Sequence, residues 1–236
     1  MEIQIAVAKI NKYASSESGD TFEVVERPGG GLSLVLADGQ TSGKGAKTIS
    51  SMVARNVISL LAEGVRDGAA ARAASDHLFI ERSGKVVSTL NMISVDLMTN
   101  TLVITRNNPA PVYIVRNDCI DVFATESSPI GTSRNIRPSI TEIQLETGLT
   151  IVMFTDGLIH AGIRSGRHLD IHTDLEAILE DQQPSAQAIA DTLLEHAIRL
   201  DDGRPGDDIS VVVLRVEKRR GDNVRRMTVR LPVGPG

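Results

Sequence analysis

The sequence predicts an α+β protein in which antiparallel sheets pack face to face and are covered by paired helices. Ten short segments are apolar or alternate polar and apolar residues, as β-strands do, and several are joined by turns rich in Gly, Asn and Asp. Four segments with helical spacing of apolar residues come in two pairs, one early and one late in the chain. Antiparallel hairpins combined with segregated helices are typical of α+β architecture.

The first hairpin brings two acidic residues together. The stretch Arg27–Gly31 has the composition of a tight turn and joins the predicted strands 22–26 and 32–37. Asp20 precedes the first of these strands, and Asp38 follows the second. Because the strands of a hairpin run antiparallel, we expect both carboxylates at the same end of the sheet.

The other elements follow from periodicity and turn signals. The helix predicted at 44–64 places Ile49, Val53 and Val57 on one face. The next helix, 67–81, has an alanine-rich face that suits close packing. The later helices are predicted at 174–180 and 186–200, and a turn is predicted at Asn117–Asp118. The remaining strands are predicted at 2–9, 85–96, 101–106, 112–116, 119–124, 139–144, 150–155 and 209–216.

Composition excludes several classes of protein. The 236 residues are enough for one large domain, and 41% hydrophobic with 23% charged residues is typical of a soluble globular chain. No apolar run reaches the ~20 residues of a membrane span, and the N-terminus lacks a signal-peptide pattern. The single cysteine, Cys119, cannot form an intrachain disulfide and has no histidine near it in sequence. We therefore expect a cytoplasmic protein with no membrane partner and no catalytic thiol.

Charge is unevenly distributed along the chain. The formal net charge is −5, but residues 217–236 carry six basic and two acidic side chains, which leaves −9 on residues 1–216. A nucleic-acid-binding domain usually presents a basic face and, for single strands, aromatic residues on which bases stack. Aromatic residues make up only 3% of this chain. We therefore expect no nucleic-acid partner.

The stretch that follows strand 32–37, Asp38-Gly-Gln-Thr-Ser-Gly-Lys-Gly45, admits several interpretations. A phosphate-binding P-loop needs four residues between its first Gly and the Gly-Lys pair, then Ser or Thr, and both conditions fail. An EF-hand calcium loop needs Glu at position 12, which is Ile49 here. Two alternatives remain: a metal site completed by carboxylates from elsewhere in the chain, or an Asp that only forms a turn.

Four acidic residues, Asp20, Asp38, Asp156 and Asp207, flank apolar strands. Carboxylates concentrated at strand ends repel one another unless cations neutralise them. Mg²⁺ and Mn²⁺ prefer oxygen ligands, and two such ions about 4 Å apart can share a water and clamp a phosphoryl group. Zinc is disfavoured because the five histidines are scattered. For each Asp alone, a turn-capping role is the alternative.

These motifs resemble, in order and spacing, the signature of bacterial PPM-type protein serine/threonine phosphatases. The nearest subgroup is that of sporulation stage II protein E and the short phosphatases of stress-response sigma-factor cascades. The segments that carry the resemblance are Ser18-Gly-Asp20, Ala37-Asp-Gly39 with Ser42–Ala46, Phe154–Leu158 and Asp207–Ser210, supported by Asn108–Val112 and Ser128–Gly131.

The resemblance implies an α-β-β-α sandwich, spanning 1–216, with two Mn²⁺ or Mg²⁺ ions at one edge of the central sheets. Asp38 would bridge both ions, Asp20 and the Gly39 carbonyl would hold one, and Asp156 and Asp207 the other. Asp208 would be either a further ligand or a group that positions Asp207. Asp20 and Asp38 would thus be the central catalytic carboxylates.

The activity implied is direct attack of a metal-bound hydroxide on phosphoserine or phosphothreonine. The substrate implied is a small regulatory phosphoprotein, of the kind that antagonises an anti-sigma factor. A catalytically weak phosphatase-like module that only binds its partner is the alternative. A metal-dependent nuclease is disfavoured by the acidic body of the chain.

Three positions depart from the pattern of relatives. Gln40 stands where many relatives have a histidine that protonates the leaving group, and an amide cannot do this. The phosphate-gripping arginine has no secure match; Lys44 is the candidate substrate-binding residue, and the alternative is that Lys44 is a solvated residue in the first turn of a helix. His160 stands where an acidic residue is expected; it either tunes the metal site or binds substrate, or it is a loop histidine without a role.

The basic segment 217–236 is predicted to lie outside the phosphatase domain. Met227, Val229 and Leu231 alternate with polar residues there. This pattern predicts an extra edge strand or a segment that docks on a partner, and the alternative is disorder.

Overall fold

Two five-stranded antiparallel sheets pack face to face in the computed structural model, which describes residues 1–117, 119–180 and 184–232. The first sheet contains, in spatial order, β1 (Glu2–Ile10), β10 (Ile209–Glu217), β9 (Thr150–Phe154), β6 (Val112–Arg116) and β7 (Cys119–Phe123). The second contains β2 (Asp20–Glu26), β3 (Leu32–Gly39), β4 (Ser88–Asp96), β5 (Thr101–Asn107) and β8 (Ser139–Gln144).

Paired helices cover the outer face of each sheet. The second sheet is covered by α1 (Gly43–Ala62) and α2 (Asp67–Arg82), and the first by α4 (Ile171–Glu180) and α5 (Ala186–Leu200). A short helix, α3 (Asp156–His160), follows β9 directly, and a single 3₁₀ turn covers Ile163–Ser165. The predicted α+β class and the four-layer α-β-β-α sandwich are confirmed.

The apolar strands are buried on both faces, which explains why their sequences are almost continuously hydrophobic. In β3, Leu34 and Leu36 point into the space between the sheets, while Val35 and Ala37 point towards the first helix pair. The same alternation along β9 and β10 fills the core between the sheets and the core under the second helix pair. One strand therefore contributes to two cores, and this fixes its register.

Two parts of the chain differ from the sequence-based expectations. Asp156 follows β9 as expected, but it also begins the five-residue helix α3, which the sequence did not predict. The extra strand predicted in the tail is not formed within the described residues 218–232, which are exposed, although Arg225 forms an ion pair with Glu26. The turn predicted at Asn117–Asp118 lies partly outside the described residues. None of the helices in the described ranges is long and apolar enough to span a membrane.

The end of β3 approaches the first turns of α1 very closely. A Cβ atom added to Gly39 would lie 2.1 Å from the carbonyl oxygen of Ala46. Such an overlap with backbone cannot be relieved by rotating a side chain. Glycine is therefore required at this position because of the packing distance between the strand and the helix.

We expect Gly39→Ala to lower the free energy of unfolding by about 1–3 kcal/mol, the usual cost of overpacking. Gly45→Ala is the matched control: Gly45 lies in α1, a Cβ there meets nothing within 4 Å, and alanine favours helix. Urea unfolding in EDTA measures both. Equal stability of the two variants would show that the approach of α1 to β3 is not constrained at Gly39.

Candidate metal centre

Asp20 and Asp38 lie directly opposite each other in the β2–β3 ladder, as the hairpin predicts. Asp20 is fully buried, whereas Asp38 is partly buried and lines a cleft. The two carboxylates are therefore brought together by strand register, which is set by the turn at the far end of the hairpin.

Asp20 is also bonded to the other sheet. Its Oδ2 accepts hydrogen bonds from Thr155 Oγ1 at 3.0 Å and from Ser210 Oγ at 2.6 Å. Its Oδ1 is buried and has no hydrogen-bond partner among the described residues. Thr155 follows β9 and Ser210 belongs to β10, so one carboxylate connects the ends of both sheets.

Asp156 and Asp207 form the more exposed side of the site. Asp156 begins α3, and Asp207 precedes β10. One ligand atom from each, together with one from His160, lie within 4.8 Å of one another. The structure thus brings together all four predicted aspartates, two in the β2–β3 hairpin and two beside the central strands of the first sheet.

Asp208 has a structural role. Its Oδ1 accepts a hydrogen bond from the backbone N–H of Lys12 at 2.9 Å, and its Oδ2 accepts one from Gly19 at 2.8 Å. It therefore fixes the segment that leads into Asp20. Its own N–H donates to Asp207 Oδ1 at 3.0 Å, which orients the neighbouring carboxylate. Of the two alternatives for Asp208, the contacts favour positioning.

A second glycine is required by close packing at this site. A Cβ atom on Gly157 would lie 2.1 Å from the carbonyl oxygen of Asp208. The glycine after Asp156 therefore allows α3 to approach the loop that carries Asp207. In both Asp-Gly pairs, at Asp38 and at Asp156, the glycine permits contact between two backbones and so places the aspartate beside its partners.

The electrostatics indicate an excess of negative charge. Burial, with further contributions from Asp20 and Asp156, raises the pKa of the Asp38 carboxyl to about 9. Burial also raises the pKa values of Asp20 and Asp207. The ammonium groups of Lys9 and Lys47 donate to the backbone oxygen of Asp20, at 2.6 and 2.8 Å. No hydrogen bond joins either ammonium to the carboxylate oxygens of these aspartates within the described ranges.

The donor set fits divalent cations with a preference for oxygen. The four aspartates provide carboxylate oxygens, and Gly39, whose backbone lines the cleft, provides a carbonyl. The buried, unpartnered Oδ1 of Asp20 is an acceptor that a cation would satisfy. Burial is the main cause of the raised Asp38 pKa, and the neighbouring carboxylates raise it further. A cation would offset the contribution of those carboxylates. These residues therefore fit Mg²⁺ or Mn²⁺.

The cleft beside the aspartates encloses about 670 Å³. Lys12 and Gln40 line it, but Lys44 does not; Lys44 is exposed in the first turn of α1. Gln40 Oε1 accepts a hydrogen bond from the backbone N–H of Val87 at 3.1 Å. The structure thus does not place Lys44 at the site, and Lys12 is the lysine that faces it.

Sequence reasoning missed several residues that support the site. Thr155 and Ser210 hold Asp20, and Lys12 enters the cleft. Thr155 and Ser210 lie within segments that carry the family resemblance, but the sequence assigned neither of them a role. The position of Ser210 one strand away from Thr155 could have been inferred only from the pairing of β9 with β10, which are distant in sequence.

The metal-free protein should lose stability as the pH rises. The Asp38 carboxyl has a pKa near 3.8 when unfolded and about 9 when folded. Between these pH values the folded state binds more protons than the unfolded state, so an increase in pH favours unfolding. For one proton, the free energy of unfolding falls by at most about 1.4 kcal/mol per pH unit. Urea unfolding in EDTA from pH 5 to 9 measures the slope. Asp38→Asn should flatten it; an unchanged slope would contradict the assignment to Asp38.

A family model described as Stage II sporulation protein E (SpoIIE) matches residues 28–217. The chain is 24% identical over 215 residues to stage II sporulation protein E of Priestia megaterium, and 25% identical over 216 residues to that of Bacillus subtilis (strain 168). Each alignment covers 91% of this chain but only 36% and 26% of the relatives. The chain thus spans about a third and a quarter of their lengths.

Solved structures share the fold at low sequence identity. The PP2C phosphatase domain of SpoIIE from Bacillus subtilis, solved with a fragment of its regulatory domain, has a TM-score of 0.79 at 22% identity, covering 92% of this chain and 64% of that one. The catalytic domain of the phosphatase PstP, in complex with two manganese ions, has a TM-score of 0.69 at 19% identity, covering 92% and 99%.

The RsbU and RsbW domains of a Mycobacterium tuberculosis protein give a TM-score of 0.73 at 19% identity, covering 91% of this chain and 60% of that one. These similarities show that the domain has the fold of PPM-type (PP2C) phosphatases. Since the SpoIIE family model covers most of the sequence, the chain belongs to the SpoIIE family.

Proposed function

We propose that this chain contains, over residues 1–216, a metal-dependent protein serine/threonine phosphatase that hydrolyses phosphoserine and phosphothreonine. The observation that carries the proposal is the Asp20–Asp38 pair, in which one buried carboxylate oxygen of Asp20 has no partner in the described structure and the pKa of Asp38 is raised to about 9. Membership in the SpoIIE family and the similarity to PP2C phosphatase domains support it.

The residues divide into two sets around the metal centre. Asp38 would contact both ions, Asp20 and the Gly39 carbonyl would hold one, and Asp156 and Asp207 would hold the other. When bound, two divalent ions lower the pKa of a shared water and neutralise charge on a phosphoryl group. The complex of PstP with two manganese ions supports this stoichiometry.

The protein side chains hold the centre in place and shape the cleft. Hydrogen bonds from Thr155 and Ser210 fix the orientation of Asp20. The Lys12 ammonium group supplies a positive charge in a cleft otherwise dominated by carboxylates, so it is the candidate for contacting a phosphoryl oxygen. Gln40 provides no proton donor of suitable acidity, so a water or another group in the cleft would protonate the leaving alkoxide.

The proposed substrate is a small regulatory phosphoprotein of a sigma-factor partner-switching pathway, of the type that antagonises an anti-sigma factor. The RsbU and RsbW domains of the Mycobacterium tuberculosis neighbour support this choice, because one of them shares the fold of this chain. Incubation with phosphorylated candidate antagonists, followed by phosphate release, tests the substrate separately from the chemistry.

Asp38→Asn should lower hydrolysis of p-nitrophenyl phosphate in Mn²⁺ by at least about 100-fold, because it removes the carboxylate placed between the two metal positions. It should also abolish the rise in melting temperature that Mn²⁺ causes in the unaltered protein. The full chain is assayed with Mn²⁺, Mg²⁺ and EDTA. Asp96→Asn is the control and should retain activity, because Asp96 is exposed at the end of β4 opposite to the end that pairs with Asp38.

Two results would contradict the phosphatase proposal. One is activity of Asp38→Asn equal to that of the unaltered protein. The other is the absence of hydrolysis, of the dye ester and of phosphopeptides, with every metal tested. If the inactive protein still bound a phosphorylated partner, the alternative of a protein-binding module would be correct.

Lys12→Gln should raise the KM for a phosphoserine peptide by about tenfold while changing kcat less, since the ammonium contacts the phosphoryl group in the bound substrate as well as in the transition state. Lys44→Gln is the matched control, because Lys44 lies outside the cleft and should leave KM unchanged. Steady-state kinetics with malachite-green detection measures both. If Lys44→Gln raised KM more than Lys12→Gln, Lys44 would be the substrate-binding lysine, as the sequence suggested.

A further inference from the structure

We propose that His160 is a direct ligand of one of the two metal ions, together with Asp156 and Asp207. The inference rests on the proposed function and deepens it, because it adds a nitrogen donor to a site otherwise composed of oxygen donors. It also assigns a role to the residue that departs most clearly from the acidic pattern expected at this position.

The geometry of α3 carries the first part of the argument. Asp156 and His160 are the first and last residues of this five-residue helix, so they are four positions apart and their side chains lie on the same face. His160 Nδ1 is 3.9 Å from Asp156 Oδ2. Two donors bound to one ion at about 2.1 Å can be at most about 4.2 Å apart, so this pair already has a suitable separation.

Asp207 completes the group from another part of the chain. A donor atom of Asp207 lies with those of Asp156 and His160 inside a mutual distance of 4.8 Å. Three donors bound to one ion at about 2.1 Å lie about 3–3.6 Å apart, so the side chains must move inward by about an ångström. The side chains of Asp156 and His160 are 42% and 52% exposed, which leaves them room to rotate. All three residues line the cleft that also contains Asp38.

The other contacts of His160 leave its imidazole available. Among the described residues it makes no hydrogen bond, and its nearest acidic oxygen is the one at 3.9 Å. Two of the other four histidines are engaged more closely: His196 Nδ1 lies 2.7 Å from Asp174 Oδ2, and His172 Nε2 lies 3.4 Å from Glu176 Oε1. The imidazole of His160 is therefore held near two carboxylates without being paired to either.

A nitrogen ligand would change which metal the site prefers. Mg²⁺ binds almost entirely through oxygen, whereas imidazole suits transition metals, and affinities for nitrogen donors rise from Mn²⁺ to Co²⁺ and beyond. The site occupied by Asp156, Asp207 and His160 should therefore favour Mn²⁺ or Co²⁺ over Mg²⁺. An acidic residue at this position would favour Mg²⁺ more.

The test combines spectroscopy with metal titration. Pulsed electron paramagnetic resonance of the unaltered full chain loaded with Mn²⁺ should show ¹⁴N modulation from an imidazole, which His160→Gln removes. Calorimetric titration should show that His160→Gln binds Mn²⁺ about tenfold more weakly than the unaltered protein. In His160→Asp, the ratio of the dissociation constants for Mg²⁺ and Mn²⁺ should be smaller than in the unaltered protein. His172→Gln is the control, because His172 and Glu176 also form a His–carboxylate pair at four-residue spacing on a helix. This variant should bind Mn²⁺ as tightly as the unaltered protein and show the same ¹⁴N modulation.

The outcomes separate this inference from the phosphatase proposal. If the unaltered protein binds Mn²⁺ and hydrolyses p-nitrophenyl phosphate but gives no ¹⁴N modulation, His160 is not a ligand and the phosphatase proposal stands. If it binds neither Mn²⁺ nor Mg²⁺ and is inactive, both proposals fail. Because the first measurement uses the unaltered chain, loss of folding in a variant cannot obscure the result.

Discussion

The structure depends on one buried carboxylate. Asp20 lies on β2 of the second sheet, yet its Oδ2 is held by Thr155 and Ser210 at the ends of strands in the first sheet. Burying a carboxylate is costly unless its charge and its acceptors are satisfied. Here one oxygen has no partner in the described structure, and a second carboxylate, Asp38, lies opposite. The contact that joins the two sheets is therefore also the position where a cation is most needed.

Close backbone packing makes this arrangement possible. At Gly39 and Gly157, a side chain would overlap a backbone oxygen at 2.1 Å. Each glycine follows an aspartate of the site, so the strand end or helix start can approach its neighbour closely enough for carboxylates from different elements to meet. The Asp-Gly pairs look like turn signals in the sequence, but neither glycine has a positive φ angle. In this chain, each glycine allows two backbones to approach closely and does not reverse the direction of the chain.

The sequence was sufficient where local patterns determine the structure. Hairpin reasoning alone placed Asp20 opposite Asp38, because a turn and two short strands fix their register. It was insufficient in two cases. The five residues of α3 are too short to show helical periodicity, so His160 was assigned to a loop. The partners of Asp20 come from strands about 135 and 190 residues away. Nothing in a small Ser or Thr indicates such a contact; only the pairing of the strands does.

The two halves of the site differ in their exposure to solvent, in the elements that hold them and in their donor atoms. The Asp20–Asp38 half combines a fully buried carboxylate with a partly buried one, is held by the ladder of β2 and β3, and offers only oxygen donors. The other half is more exposed, begins in a five-residue helix and a loop, and has an imidazole beside its two carboxylates. Burial strengthens the attraction between a cation and a fixed carboxylate pair, and exposure allows exchange with solvent. The fold therefore places an oxygen-only carboxylate pair, fixed by strand pairing, beside a more accessible group that includes an imidazole.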